Sequence, residues 1–329
     1  MDVRKIALRF VEEFMLGLVR VTFALSHVLP AGVLYGIYKG VGYALYYGRP
    51  RMRRDLLKKI SEAMPEITGS RELARIGRGV CASMILPVVD GVLYMRFWDR
   101  FMRGLRVEGR ENLEKAEAMG QGLLVMTPHL SATVAPLHAI MARWNMPYSI
   151  IAWHPDTLPV PRYGNRMSEL MQELGCDPEL PVIYAGPGYD VIGPVRERLA
   201  KNKRVGMTID VPGKCIVQLF GRPAALADGI AHFSYDSGAP ILPMSMHRTS
   251  RLFERRLVIE EPITSPATGD RRKDIQAMMD KVWAAGERQI RQAPGEWMSW
   301  FGMWHWWELA EELMEERAAG CQGSKKKDS

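Results

Sequence analysis

The sequence predicts an α/β fold in which a mostly parallel central sheet is flanked by helices. Three observations predict it: short apolar runs alternate with helical patterns in the second two thirds of the chain, glycines separate many of these segments, and the run at 123–126 is apolar at every position. A run without polar alternation is typical of a strand that is covered on both faces. A chain of 329 residues is long enough for one large core or two modest domains.

The strands and helices are predicted from composition and periodicity. The predicted strands are a short one near residue 105, then 123–126, 148–153, 182–185, 204–210, 238–248 and, at the edge of the sheet, 255–263. The predicted helices cover 71–103 with a break near Pro87, a polar segment that ends at Gly120 or Gly122, the segment after His129, and then 165–174, 190–201 and 271–292.

Charge and cysteine spacing limit the classes of partner and cofactor. The net charge of +7 indicates an anionic partner. Acidic and aromatic residues are spread along the chain without a nucleic-acid-binding motif, so we expect an anionic membrane surface or an acidic substrate and no nucleic acid. The four cysteines have no metal-site spacing, which predicts reduced thiols, no metal and no tightly bound cofactor. They are Cys81, Cys176, Cys215 and Cys321.

Residues 1–48 are predicted to form an N-terminal apolar helical membrane anchor. No formal charge occurs in the 18 residues from Val21 to Tyr38, which is the lower limit for crossing a bilayer, and Pro30 interrupts the run. Three interpretations stay open: a short spanning helix, an interfacial pair of helices hinged at Pro30, and a buried core hairpin.

A basic stretch, RPRMRRDLLKK at 49–59, follows the apolar segment. Four arginines and two lysines beside an apolar anchor favour the anionic headgroups of the cytoplasmic leaflet, although a solvated helix face has the same pattern. We expect an α/β domain at 49–310, and a C-terminal helix end with a disordered basic tail at 311–329.

The stretch LLVMTPHLSATVAPLHAI, residues 123–140, contains the candidate catalytic histidine. Its pattern predicts strand, loop and helix, which places His129 at the carboxyl end of a strand, where open α/β sheets bind ligands. Histidine accepts a proton near neutral pH, so His129 is a candidate general base, and a structural histidine is the alternative. Asp210 ends another predicted strand at the same sheet edge, where it is positioned either to pair with His129 or to cap the turn that follows.

The order of several stretches resembles the late lipid A biosynthesis acyltransferases, the bacterial lauroyl and myristoyl transferases of the lysophospholipid acyltransferase group. The resemblance extends over nearly the whole chain. It rests on the basic helix that closes on MPE at 64–66, on VEGRENLEKA, on TPHLSATVAP, on QLFGRPAALADGIAHFSYDSGAPILP at 218–243, and on PGEWMSWFGMWHWW at 294–307.

This resemblance implies a function and a location. The implied reaction transfers a fatty acyl group from acyl carrier protein or acyl-coenzyme A to a hydroxyl of a membrane lipid or glycolipid, at the cytoplasmic face of the bacterial inner membrane. His129 matches the family's base. Val134, however, occupies the position of the family's catalytic carboxylate, five residues after the base, and Leu226 occupies that of a threonine. A catalytically silent relative that binds lipid or scaffolds a partner enzyme is therefore the alternative.

Further residues are candidate substrate ligands. Arg166 matches a family arginine and has the donors to hold a phosphate or an oxyanion, although a structural salt bridge is equally compatible with its sequence. Lys214 and Arg222 lie before and after Gly221, in the stretch that leads to Gly229, where they are expected to bind a headgroup phosphate or to remain solvated. Six of the nine tryptophans fall between 283 and 307, which suits either a membrane interface and acyl tunnel or plain core packing.

Overall fold

A computed structural model describes residues 3–158, 160–173 and 175–325. The first third of these residues is helical. It comprises α1 (Val3–Val28), α2 (Ala31–Gly48), α3 (Pro50–Ala63), α4 (Ser70–Ser83) and α5 (Leu86–Gly104). The predicted break near Pro87 lies between α4 and α5.

The remainder alternates strands and helices, as the sequence predicts. Its elements are β1 (Leu105–Glu108), α6 (Arg110–Ala118), β2 (Leu123–Thr127), α7 (Val134–Arg143), β3 (Tyr148–Trp153), α8 (Pro161–Glu173), β4 (Val182–Ala185), α9 (Ile192–Ala200), β5 (Arg204–Thr208), β6 (Pro212–Leu219), β7 (Arg222–Leu226), α10 (Gly229–Ser237), β8 (Ile241–Arg248), β9 (Arg255–Ile259), α11 (Arg271–Gln292) and α12 (Met303–Lys325). Residues 326–329, part of the predicted disordered tail, lie outside the described residues.

Seven strands form one sheet in the order β1-β9-β8-β2-β5-β3-β4. Five of its six neighbouring pairs are parallel, and β8 with β9 is antiparallel, so the predicted mostly parallel sheet is confirmed. The prediction that the last strand lies at the edge is wrong. The distant segment Leu105–Glu108 pairs with its outer side, which local composition does not indicate.

The strand β2 is buried at all five positions, as its apolar sequence predicts. Leu124 and Met126 pack on one side of the sheet in a core that includes the tryptophans of the C-terminal region. Leu123 and Val125 pack on the other side against α6 and α7. The central strand therefore holds the following loop, which carries His129, between two cores.

Core packing is the correct interpretation of the tryptophan-rich stretch, and a membrane interface is wrong for most of it. Trp283, Trp297, Trp300 and Trp307 are fully buried, and Trp306 is 4% exposed. The thiols of Cys81, Cys176 and Cys215 are free and buried, and the side chain of Cys321 lies outside the described part of the chain.

The uncharged run at 21–38 is divided between α1 and α2 by a break at Leu29 and Pro30. The hinge predicted at Pro30 is therefore present, and a continuous helix over 21–38 is wrong. Among the described residues, no single helix has both the length and the apolar composition to cross a bilayer, whereas α4 and α5, bent by 63°, have them together.

The N-terminal helix is also tied to the α/β domain. The carboxylate of Glu12 in α1 is buried and accepts hydrogen bonds from the backbone N–H groups of Arg162 and Tyr163, in the first turn of α8. A carboxylate accepts hydrogen bonds from the unpaired N–H groups at the start of a helix. Its negative charge also interacts favourably with the positive end of the helix dipole. Because Tyr163 lines the cavity described below, α1 helps to position a wall of the candidate site.

Candidate active site

His129 and Asp210 stand at equal distances beyond two paired strands. Thr127, the last residue of β2, is in register with Thr208, the last residue of β5. His129 and Asp210 each follow two residues later. Since parallel strands end at the same edge, this register brings the two side chains together at the carboxyl end of the sheet.

The carboxylate of Asp210 holds His129 at both its ring and its backbone. The distance between Nδ1 of His129 and Oδ1 of Asp210 is 2.6 Å. The backbone N–H of His129 donates to the same carboxylate, at 3.0 Å to Oδ1 and 3.1 Å to Oδ2. An ionised carboxylate can only accept, so Nδ1 carries the hydrogen and Nε2 is left with its lone pair.

Two residues of the C-terminal stretch fix the other oxygen of this carboxylate. The indole Nε1–H of Trp297 donates to Oδ2 of Asp210 at 3.0 Å, and the hydroxyl of Ser299 donates to it at 2.6 Å. The backbone of the same stretch pairs with the histidine loop, where Met298 N–H donates to His129 O at 3.0 Å. Sequence reasoning missed both Trp297 and Ser299 as site residues. Neither residue lies close in sequence to His129 or Asp210, so no local pattern indicates the contact.

Burial and charge act in opposite directions on the pKa values of this pair. Burial lowers the pKa of His129, but the charge of Asp210 and the hydrogen bond to it outweigh burial and raise the pKa above its ordinary value. Burial raises the pKa of Asp210, but His129 and the hydroxyl of Ser299 outweigh it and leave the pKa lowered. The side chain of Asp210 is wholly buried, whereas that of His129 keeps 37% of its surface exposed. The dyad of His129 and Asp210 therefore combines an accessible imidazole with a buried, ionised carboxylate.

A cavity of about 520 Å³ opens beside His129, and residues of the central strands and of helices α7, α8 and α10 line it. A volume of this size is typical of small-molecule pockets. Its walls are mainly apolar, with a few polar side chains. The apolar lining includes Val125, Leu137, Ile150, Met207, Val211 and Ile230, and the polar lining includes Thr127, His138, Tyr148 and Thr208. Such a cavity suits an aliphatic chain whose reactive end lies at His129.

A buried ionic network supports the histidine loop from below. Arg248 donates to the hydroxyl of Ser131 at 2.5 Å, and both Arg248 and Arg255 pair with the buried carboxylate of Asp90. The backbone N–H of Arg248 donates to Glu296, whose own carbonyl accepts from the backbone N–H of Ser131. Because these partners are buried, the network holds the histidine loop in place at Ser131, two residues after His129.

The structure does not bring Arg166 to the histidine. Its guanidinium pairs with Glu169 at 2.9 Å and with Glu173 at 3.4 Å, both on its own helix α8. Among the described residues that line the cavity, α8 contributes Tyr163 and Gly164, and Arg166 is not one of them. The observed contacts are those of a structural salt bridge, and a substrate contact of Arg166 stays a prediction.

The residues predicted around the phenylalanine-glycine loop have different surroundings. This loop is an antiparallel hairpin of β6 and β7, in which Phe220 (φ 53°) and Gly221 (φ 73°) form the turn that a two-residue hairpin requires. Arg222 pairs with Glu311 at 3.2 Å and stacks on Trp307, and Lys214 is exposed on β6. Gly229 alone of this group lines the cavity beside His129.

The position predicted to lack the family carboxylate begins a helix. Val134 is the first residue of α7. The hydroxyl of the preceding Thr133 does not cap this helix; it donates to the backbone carbonyl of Met246 in β8 and accepts from the backbone N–H of the same residue. Within the described ranges, no three His, Cys, Asp or Glu side chains cluster as metal ligands would.

Residues 188–305 match the sequence profile of the family described as bacterial lipid A biosynthesis acyltransferase. The predicted family resemblance is confirmed over these residues. A match to this lipid A acyltransferase family implies acyl transfer to a lipid acceptor at the bacterial inner membrane. The matched segment contains Asp210, Trp297 and Ser299, whereas His129 precedes it. No curated protein sequence matches the chain.

Proposed function

We propose that this protein is a membrane-associated O-acyltransferase in which His129 is the general base and Asp210 is the carboxylate that orients it. The observation that carries the proposal is the 2.6 Å contact of Nδ1 with Asp210 beside an apolar cavity. A carboxylate on one ring nitrogen fixes the tautomer and stabilises the imidazolium that forms during proton transfer. Asp210 would then supply, from the adjacent parallel strand, the function that Val134 cannot.

The proposed reaction needs one proton carrier. Nε2 of His129 removes the proton of the acceptor hydroxyl as its oxygen attacks the thioester carbonyl. The tetrahedral intermediate collapses, the carbon–sulfur bond breaks, and the thiolate takes up the proton that Nε2 carried. The products are an ester and a free thiol, and Asp210 stays ionised throughout.

The substrates follow from the family match and the cavity. The donor is a fatty acyl thioester of acyl carrier protein or coenzyme A, and its chain lies in the apolar cavity. The acceptor is a hydroxyl of a membrane lipid or glycolipid. Gly229 begins α10 at the cavity wall, and the amino end of a helix favours developing negative charge, so we assign Gly229 to substrate binding. A headgroup role for Arg166, Lys214 and Arg222 remains a prediction.

We infer that α1 and α2 dock on the cytoplasmic leaflet of the inner membrane. Large apolar side chains are exposed along both helices, at spacings of three, four or seven residues for most of them. They include Phe10, Phe14, Val21 and Val28 on α1, and Val33, Ile37 and Val41 on α2. The basic helix α3 follows directly. An exposed apolar face beside basic residues is typical of interfacial binding to anionic lipid.

Acyl transfer by the purified full-length protein tests the proposal. The protein is incubated with acyl carrier protein or coenzyme A thioesters and with a lipid extract of inner membranes, and mass spectrometry identifies the acylated product. We expect a new ester with the wild type and none above background with His129→Ala. Acyl-chain binding without transfer from any donor would instead favour the silent relative.

A further inference from the structure

A second cavity, of about 570 Å³, lies where α2 meets α3, away from the cavity beside His129. Basic side chains predominate among its charged lining residues, since three of them are basic and one is acidic. The lining includes Gly48, Arg49, Arg51, Asp55, Lys59 and Phe301. The cavity is therefore a concave, positively charged site on the surface.

The basic residues of this cavity have no acidic partner. In the part of the chain that the structure describes, none of Arg49, Arg51 and Lys59 forms a salt bridge. Lys58, on the same helix but outside the cavity lining, pairs with Glu62 at 3.7 Å. Arg49 and Arg51 are exposed and Lys59 is partly exposed, so a ligand in solution can reach them. Guanidinium and ammonium groups both bind phosphate, so the cavity fits a phosphate group.

The exposed apolar face of α2 leads to this cavity. Val33, Ile37 and Val41 are about half exposed and follow one another at intervals of four residues. Gly48, the last residue of α2, comes seven residues after Val41, which is nearly two helical turns. It therefore lies on the same face as Val41, roughly 10 Å further along the helix axis. A molecule with a phosphate at one end and apolar chains at the other matches both features.

The cavity also adjoins the segment that supports the dyad of His129 and Asp210. Nζ of Lys59 donates to the backbone carbonyl of Phe301 at 3.3 Å. Phe301 comes two residues after Ser299, whose hydroxyl donates to the carboxylate of Asp210. A phosphate bound by Lys59 would thus lie beside the segment that holds this carboxylate, outside the cavity at His129.

We propose that the cavity between α2 and α3 binds the phosphate group of an anionic lipid from the membrane surface. The inference rests on the proposed function, because it takes α1 and α2 as the helices that dock on the membrane. Arg49, Arg51 and Lys59 bind the phosphate oxygens, and the acyl chains of the lipid lie along the exposed apolar face of α2. The phosphates of coenzyme A carry no such chains, so they match the charge of the cavity but not the adjoining face.

Binding of a monomeric lipid tests the site without requiring acyl transfer or a bilayer. Full-length protein is titrated calorimetrically with dihexanoyl phosphatidylglycerol below its critical micelle concentration. Dihexanoyl phosphatidylcholine has the same chains and a phosphate, but its own cation neutralises that phosphate. We expect the glycerol lipid to bind roughly tenfold tighter than the choline lipid, because only its phosphate is left to pair with the basic residues. Equal affinities would overturn the proposal.

Two double variants that lose the same charge locate the site. Arg51→Gln with Lys59→Gln removes two basic residues of the cavity, whereas Arg54→Gln with Lys58→Gln removes two from the same helix outside its lining. The first should weaken phosphatidylglycerol binding roughly tenfold or more, and the second by less than about threefold, since it changes only the screened field around the site. Circular dichroism melts show whether each variant is folded. Equal losses in the two folded proteins would overturn the assignment to the cavity.

Coenzyme A distinguishes the other source of phosphate. It should bind more weakly than the short-chain lipid. Tighter binding of coenzyme A that depends on Arg51 and Lys59 would show that the cavity serves the acyl donor, and the assignment to lipid would be wrong.

The site and the proposed activity fail in different ways. If acyl transfer is absent but phosphatidylglycerol binds through Arg51 and Lys59, the proposed activity is wrong and the lipid site stands. If transfer proceeds and the cavity variant binds the lipid as the wild type does, the activity stands and the lipid site is wrong.

Discussion

The carboxylate of Asp210 accepts hydrogen bonds from both the ring Nδ1 and the backbone N–H of His129. The two residues are 81 positions apart in sequence and occupy the same place beyond two paired parallel strands. This double contact orients the imidazole relative to its own loop, and it leaves Nε2 to accept a proton. The register of β2 with β5 therefore provides the geometry that the residues next to His129 do not.

The donors to the second oxygen of Asp210 should tune the dyad. Ser299→Ala and Trp297→Phe each remove one hydrogen bond to a buried carboxylate, an interaction worth about 1.5–3 kcal/mol. Where this hydrogen bond stabilises the transition state, its removal should lower the transfer rate of each variant roughly tenfold or more. Steady-state rates measure the effect, and unchanged rates in both folded variants would show that Asp210 needs neither donor.

A methyl group at Gly206 should reduce the room for the acyl chain. The added Cβ would lie 2.3 Å from the ring of Tyr148, so that ring must move. We expect Gly206→Ala to cost about 1–3 kcal/mol of stability and to shift donor preference to shorter chains. The control is Gly91→Ala on α5, where the added Cβ meets no atom within 4 Å. Donor competition assays measure the preference, and an equal effect of the two variants would contradict the expectation.

The buried carboxylate of Asp90 should be important for stability. It pairs with Arg248 and Arg255, and Asp90→Asn would leave Arg255 without a counter-charge and Arg248 with Glu296 alone. We expect a loss of roughly 3–5 kcal/mol in the free energy of unfolding. Glu72→Gln, which breaks an exposed pair with Arg75, should change it by less than about 1 kcal/mol. Urea unfolding followed by circular dichroism compares the two; similar midpoints would show that the network contributes little.

The exposed apolar face of α1 should carry membrane affinity. Phe10 and Phe14 are 74% and 62% exposed. Burying one such side chain in an apolar phase gains about 1.5–3 kcal/mol, so the double variant Phe10→Ser with Phe14→Ser should lower vesicle partitioning at least tenfold. Flotation with anionic vesicles measures it. Met314→Ser, on α12, is the matched control. An equal loss of vesicle partitioning in the double variant and in the control would show that the apolar face of α1 is not the membrane contact.

Point substitutions are preferable to deletion of residues 1–60 for that test. Glu12 of α1 accepts hydrogen bonds from the first turn of α8, and α8 forms a wall of the cavity. A deletion would therefore disturb the α/β domain as well as the apolar face.

Much of the sheet is predictable from local patterns, and its long-range pairings are not. The strand over Val182–Ala185 has the bounds that its sequence predicts, because its apolar run and the flanking Pro181 and Gly186 are local signals. The pairing of Leu105–Glu108 outside β9 joins segments about 150 residues apart, which no local pattern specifies. The hairpin of β6 and β7 was missed because its turn uses Phe220 and Gly221, which is not a common turn pair.

The candidate site shows the same division. Its histidine and the sheet edge follow from the strand, loop and helix pattern around His129. The sequence leaves two roles open for Asp210, pairing with His129 or capping a turn. Only the register of β2 with β5 shows that its carboxylate reaches the imidazole of His129. Ser299 and Trp297 contribute through a backbone pairing with the histidine loop, at Leu130 and Trp297, that the sequence does not reveal.

The pH dependence of acyl transfer tests the dyad most directly. A base must be unprotonated, so the rate should rise with pH through the pKa of His129, which Asp210 raises above its ordinary value of 6.5. In Asp210→Asn the raising influence is removed and burial remains, so the midpoint should fall below 6.5. The maximum rate should fall by about four orders of magnitude if the loss resembles that of a triad aspartate.

The measurement is the pH profile of the transfer rate for the wild type, Asp210→Asn and His129→Ala. The account predicts a wild-type midpoint above 6.5, a lower maximum and a lower midpoint for Asp210→Asn, and no transfer above background for His129→Ala. Transfer that survives in His129→Ala, or an Asp210→Asn profile that coincides with the wild type in both rate and midpoint, would contradict it.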